Sequence, residues 1–236
     1  LLKEMNSLAK EQWFSLDKIE NLQLERTRNL LSYAEKNSPF YRELFRKHQF
    51  DISQFKKLSD LQKLPVTTKA DIRDNTDNFI SEEFLKQGLA TAKTGGSTGI
   101  SLNLFFDRDC QQKRNAAQGW SDGWAGWKPG SRVAALWGNP PVYTQLKAKL
   151  RSYLLERMIY LDTMAMNDGS VQDFAKNCED FQPDILFGHA HSIYLFAKYV
   201  AANDITPFKF KGIIATSMML LDHERDLIEE VFTTKV

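Results

Sequence analysis

Four short apolar runs recur in the second half of this chain: Arg132 to Trp137, Met158 to Leu161, Asp184 to Phe187 and Gly212 to Ala215. Consecutive apolar residues suit a strand buried on both faces, whereas a strand with one wet face alternates. The segments between the runs are long enough to cross a sheet as helices. One of them, Ser170 to Phe181, repeats Val171, Phe174, Cys178 and Phe181 at helical spacing. Strand, crossover helix and strand in succession is the pattern of a parallel sheet covered by helices. The expected fold class is therefore α/β: a helical N-terminal segment followed by a layered, mostly parallel sheet with helices.

The first 80 residues carry helix signals instead. Asp17 with Glu20 fits a capping box, and Leu24, Leu31 and Ala34 come next at helical spacing as far as Asn37. Ser38 is placed to cap a second helix, with Pro39 in its first turn and Tyr41, Leu44, Phe45 and His48 along one face. Pro65 breaks the pattern, and Thr67 or Thr68 caps the restart. The change of pattern sets a boundary near residue 80, dividing a helical subdomain (1–80) from an α/β subdomain (81–236). With 236 residues, 42% of them apolar, both can bury a core. Lys and Arg number 31 against 30 for Asp and Glu, which lacks the basic surplus that nucleic acids or anionic membranes demand. The longest apolar stretch, Ile193 to Ala202, includes Lys198 and falls short of the roughly 20 residues of a membrane span. No signal-peptide pattern stands after Leu1, and Cys110 and Cys178 read as reduced thiols, so a cytoplasmic setting is expected.

The segment richest in chemistry is Thr94-Gly95-Gly96-Ser97-Thr98-Gly99, between the strand-like stretches Gly88 to Lys93 and Ile100 to Phe106. Three glycines let successive N–H groups converge on an anion, and Thr94, Ser97 and Thr98 add hydroxyls there. The same residues also suit a flexible turn between two strands. Neither GxxxxGK[ST] nor GxGxxG is present. Gly95, Ser97 and Gly99 do match the GxSxG turn of serine hydrolases, with His189 or His223 as triad histidines, but the residues after Gly99 read as a strand where that turn needs a helix. Elsewhere, Trp137 to Pro141 comes after a strand and is either a substrate loop or a plain turn. Trp120, Trp124 and Trp127 at helical spacing mean core or subunit-interface packing, so a homodimer stays open. His189 and His191 stand at a strand-to-helix junction with no further ligand set nearby, and no metal site is assigned. Asp222 is placed to cap a final helix.

Taken together, these pieces resemble the adenylate-forming enzymes, and within them the phenylacetate-CoA ligase and CapK-like branch. The resemblance rests on Asn37 to Glu43, Leu64 to Arg73, the Thr94 to Gly99 loop, Gln182 to Gly188 and Ile213 to Ser217, in that order. Ile100 and Ser101 stand where the family has Lys-Pro, and Met218 and Met219 where it has a glutamate. The resemblance implies ATP, Mg²⁺ and coenzyme A as cofactors and a small-molecule carboxylic acid as substrate. The carboxylate attacks the α-phosphate of ATP to give an acyl-adenylate and pyrophosphate, and the acyl group passes to coenzyme A. A role in capsular polysaccharide synthesis is implied through the CapK-like branch. It implies phosphate binding by Thr94 to Gly99 and adenine contact by Thr216, Ser217 and Met218. The acyl pocket is expected at Trp137, Gly138, Asn139, Phe187, Gly188 and His189. No catalytic residue is assigned. The resemblance further implies that the chain corresponds to the first half of such an enzyme, inactive alone. A catalytically idle nucleotide-binding relative stays open.

Overall fold

In the first unit, apolar spacing decides which helix faces meet. The computed structural model describes residues 1–85, 88–94, 101–141, 145–152, 154, 157–203, 205 and 208–236. Helix α1 (Leu2–Glu11) precedes the long α2 (Leu16–Asn37), which turns Leu24 and Leu31 toward Phe45, Phe50, Ile52 and Phe55. The expected capping box at Asp17 and Glu20 does not form, because α2 starts after Ser15 and no side chain caps it. Ser38 ends α2 with extended backbone, as a residue before proline must, and Pro39 opens α3 (Pro39–Lys47). Ser38 does not cap α3 either: its buried hydroxyl donates to the Asn78 carbonyl at 3.0 Å. Helices α4 (Lys69–Asp74) and α5 (Thr76–Phe79) come next, and Phe40 stacks on Phe79 with ring centroids 3.9 Å apart. Of the two threonines considered as caps, Thr68 is the one used. Its hydroxyl accepts the Asp71 N–H, while the Asp71 carboxylate accepts the Thr68 N–H and hydroxyl.

Two strands complete this unit. β1 (Ala90–Lys93) pairs antiparallel with β2 (Asn103–Phe106), Lys93 opposite Asn103, as the sequence leads one to expect. The compact units are Leu1–Ala117 and Gln118–Val236. Their division falls inside α6 (Arg108–Asp122).

The second unit is the expected α/β layer. Strands β3 (Val133–Trp137), β4 (Met158–Asp162), β5 (Ile185–His189) and β6 (Gly212–Thr216) are parallel, in the order β4-β3-β5-β6. Each lies within two residues of the apolar run that marks it. The connections use α7 (Leu146–Arg151), α8 (Asp168–Phe181) and α9 (Ala190–Ala202), and α10 (Asp222–Phe232) comes after β6. The steps from β4 to β5 and from β5 to β6 cross the sheet in the same direction. Right-handed crossovers then put α8 and α9 on one face. There Phe174, Cys178, Phe196 and Phe232 form one core with Leu136, Leu186 and Ile213 from the sheet. Gln182, in left-handed backbone, ends α8 and turns the chain into β5. Asp222 does not cap α10; the helix starts at Asp222 itself, one residue earlier than a cap there would allow, and Glu224 accepts the N–H of Leu221 at the cap position. Among the described residues no helix is long and apolar enough to cross a membrane.

Candidate functional site

The order β4-β3-β5-β6 contains a reversal. The chain leaves β3 toward β4, then crosses back to place β5 on the other side of β3. Connections that diverge from neighbouring strands leave a crevice beyond their carboxyl ends, and ligands of open α/β sheets bind there. In this unit the crevice lies at the ends of β3 and β5.

Five of the nine residues expected for the acyl pocket and the adenine turn end those strands or β6, and the other four come within two residues. Trp137 closes β3, and Gly138 and Asn139 begin the turn after it. Phe187, Gly188 and His189 close β5. Thr216 closes β6 opposite His189, and Ser217 and Met218 come next. The rings of Trp137 and Phe187 stack at 5.5 Å, and the His189 ring lies 4.4 Å from that of Trp137. Alternation explains this grouping: Leu136, Leu186 and Gly188 face the other way, toward the helices. At Gly188 a β-carbon would stand 2.6 Å from the Leu136 carbonyl oxygen, so this glycine is required by the approach of β3 and β5. Asn139 and Ser217 both adopt left-handed backbone at these turns. The Met218 N–H donates back to the Thr216 carbonyl at 2.8 Å.

Three polar residues at this edge carry no sequence motif. Asp162, the last residue of β4, accepts the Met164 N–H at 2.9 Å and the Asn139 N–H at 3.3 Å, bracing the turn after β3. His191 and Glu224, 33 positions apart, meet at 2.7 Å between Nδ1 and Oε1. An aspartate directly after the Met158 to Leu161 run was a readable signal; nothing in the spacing joins His191 to Glu224. The two histidines of the strand-to-helix junction part company, His189 toward Trp137 and His191 toward Glu224.

The glycine loop is only partly described. Thr94 ends the hairpin: its hydroxyl oxygen accepts the Leu102 N–H at 2.9 Å, and Ser101 donates to its carbonyl. Gly95, Gly96, Ser97, Thr98 and Gly99 lie outside the described residues, and so does any comparison of Ser97 with Gly188. After the loop the chain enters β2, antiparallel to β1, and not the helix that a hydrolase nucleophile turn needs. His223 packs edge-on against the Tyr194 ring at 5.6 Å. Of the tryptophans expected to be packed, Trp120 meets Trp124 edge-on at 4.9 Å, but Trp124 is 69% exposed because α6 ends at Asp122. Two clefts of about 510 and 760 Å³ open within the first unit, and no strand-end residue of the parallel sheet lines either. Their volumes suit small molecules.

No family model matches the chain. It is 27% identical over 218 residues to Protein CapK of Staphylococcus aureus, covering 91% of this chain and 48% of that protein. To the phenylacetate-coenzyme A ligase of Escherichia coli (strain K12) it is 26% identical over 178 residues, 73% of this chain and 38% of the ligase. The chain thus spans about half the length or less of these curated relatives. Among solved structures it is similar to 2-hydroxyisobutyryl-CoA ligase in complex with 2-HIB-AMP and CoA. The TM-score is 0.69 at 18% identity, over 94% of this chain and 53% of the ligase, a likeness of fold. In sequence the chain is thus similar to Protein CapK and the phenylacetate-coenzyme A ligases, and in fold to an acyl-CoA ligase.

Proposed function

We propose that this protein activates a small-molecule carboxylic acid with ATP and passes the acyl group to coenzyme A. The acid sits against Trp137, Phe187 and His189, with Gly138 and Asn139 shaping the turn after β3 and Gly188 allowing β3 and β5 to approach. Thr216, Ser217 and Met218 meet the adenine, and the loop from Thr94 to Gly99 holds the departing phosphates. The observation that carries this reading is the meeting of Trp137, Phe187 and His189 at the reversal point of the sheet, beside the β6 turn. Stacked aromatic rings favour an apolar or aryl acid over a small polar one. Attack of one anion on another needs positioning and charge neutralisation more than a proton acceptor, which suits a site of turns and backbone N–H groups. Mg²⁺ in this reading travels with the ATP polyphosphate; among the described residues no group of three or more His, Cys, Asp or Glu side chains could hold a metal. The division into a helical subdomain (1–80) and a nucleotide-binding subdomain (81–236), a cytoplasmic setting and a link to capsular polysaccharide synthesis belong to the same proposal.

Calorimetric titration with ATP and with a non-hydrolysable acyl-adenylate mimic tests it. Gly96→Val is expected to weaken ATP binding more than Ser97→Ala, because glycine at a backbone phosphate loop resists replacement. Loss through Ser97→Ala with Gly96→Val silent would favour a nucleophilic serine. Acid-dependent exchange of pyrophosphate into ATP, run on the full-length gene product, separates an active ligase from an idle relative that binds without reacting.

A further inference from the structure

Glu224 is buried beside the candidate site, and nothing in the proposed reaction uses it. It is the third residue of α10, its side chain 4% exposed, while the His191 side chain it meets is 53% exposed. One carboxylate oxygen accepts the Leu221 N–H at 3.2 Å and the other faces His191 Nδ1 at 2.7 Å. The His191 hydrogen bond first, and the Leu221 N–H second, hold the carboxyl below the ordinary glutamate range. An ionised carboxylate only accepts, so Nδ1 carries the hydrogen of this bond, an assignment made from its partner.

The bond has a particular place in the fold. His191 stands two residues after β5, and Glu224 just past the turn that leaves β6 at Thr216. It therefore ties the strand end at Phe187 to His189 to the turn after Thr216. Two aromatic contacts join α9 and α10, Tyr194 against His223 at 5.6 Å beside this bond and Phe196 against Phe232 at 5.8 Å further along both helices, and Leu220 of the turn packs on the core. Ser217 holds the turn in left-handed backbone, a conformation that persists where the surroundings enforce it.

Resting on the function proposed for this site, we propose that the Glu224–His191 hydrogen bond is a positioning clasp. It fixes the turn from Ser217 to Leu221 relative to the end of β5, and so sets the affinity of this edge for an acyl-adenylate without touching the ligand.

Asparagine and glutamine at position 191 separate a clasp from direct contact. His191→Asn keeps an amide N–H near the place of Nδ1 and can still donate to Glu224; His191→Gln carries its amide nearer the place of Nε2 and loses the bond. Glu224→Gln offers one acceptor where two are needed. On the 236-residue chain, His191→Gln and Glu224→Gln are expected to speed amide exchange at Ser217 to Leu221 roughly tenfold, and to weaken binding of the acyl-adenylate mimic roughly tenfold. His191→Asn should stay within about threefold of wild type on both, less than the loss of one hydrogen bond. Unchanged exchange in both glutamine variants, or exchange raised uniformly through the second unit, would overturn the clasp. So would the opposite binding order, lost in His191→Asn and kept in His191→Gln, the mark of an imidazole that touches the ligand through Nε2. A wild-type chain that binds no adenylate mimic counts against the proposed function, and the exchange measurement then decides the clasp by itself.

Discussion

Replacing Gly188 with alanine asks whether a residue at the candidate site serves packing before it serves a ligand. The added β-carbon would stand 2.6 Å from the Leu136 carbonyl oxygen and 2.9 Å from its Cβ. Non-bonded carbons rest at about 3.5 Å or more, so atoms must move. Those atoms belong to a fully buried residue of the neighbouring strand, and relief requires β3 and β5 to part where Leu136 faces Gly188. Overpacking of this kind costs about 2 to 3 kcal/mol. For a chain of this size that lowers the thermal midpoint by about 4 to 12 °C. Urea unfolding monitored by tryptophan emission reports it directly, since Trp120, Trp124, Trp127 and Trp137 all lie in the second unit. Gly88→Ala is the control: nothing stands within 4 Å of its added carbon, and its change should stay within about 0.5 kcal/mol, as for surface substitutions generally. A Gly188→Ala protein as stable as the control would refute the argument that strand approach requires this glycine.

Burial and charge set three further outcomes. Phe196 is fully buried among Phe174, Phe208 and Phe232, so Phe196→Ala should destabilise by about 3 to 5 kcal/mol in urea titration, well beyond Phe105→Ala at a 37% exposed position. Asp60 accepts the Lys56 N–H, the Lys63 ammonium and the Lys57 N–H, and these hold its carboxyl down to about 2. A depressed carboxylate adds stability above its unfolded value and loses it as pH falls through the folded one. Protection of the Lys56 and Lys57 amides should therefore fade between about pH 4 and pH 2, and Asp60→Asn should remove that dependence. Burial pushes the Cys178 thiol up to about 12, while Cys110 is exposed. Alkylation at about pH 8 should label Cys110 in the native chain and reach Cys178 only after unfolding.

The parallel sheet was legible because each strand is a short run of consecutive apolar residues, and burial on both faces demands such runs. The strand-end placement of the residues proposed for the acyl pocket and the adenine turn was legible for a related reason, since parallel strands deliver their carboxyl ends to one edge. Helix starts were read less well. Ser38 has the chemistry of a cap, but a carbonyl at Asn78, distant in sequence, competes for its hydroxyl. At α10 the residue that accepts the terminal N–H is Glu224 and not Asp222, because the helix begins one residue earlier than the sequence implies. The resemblance-bearing residues Phe40, Thr68 and Asp71 act in packing and capping, and of these roles the Thr68 cap was readable in the sequence. Least legible was the bond between His191 and Glu224, since only the crossover from β5 to β6 brings those positions together.

The central claim is that the ends of β3, β5 and β6 form one ligand site. Its most direct test is the hydrogen-exchange footprint of a non-hydrolysable acyl-adenylate mimic on the 236-residue chain. The account predicts protection at Trp137 to Asn139, Phe187 to His189 and Thr216 to Met218, with little change at the clefts of the first unit. Saturable binding that protects those clefts and leaves the three strand ends unchanged would contradict it.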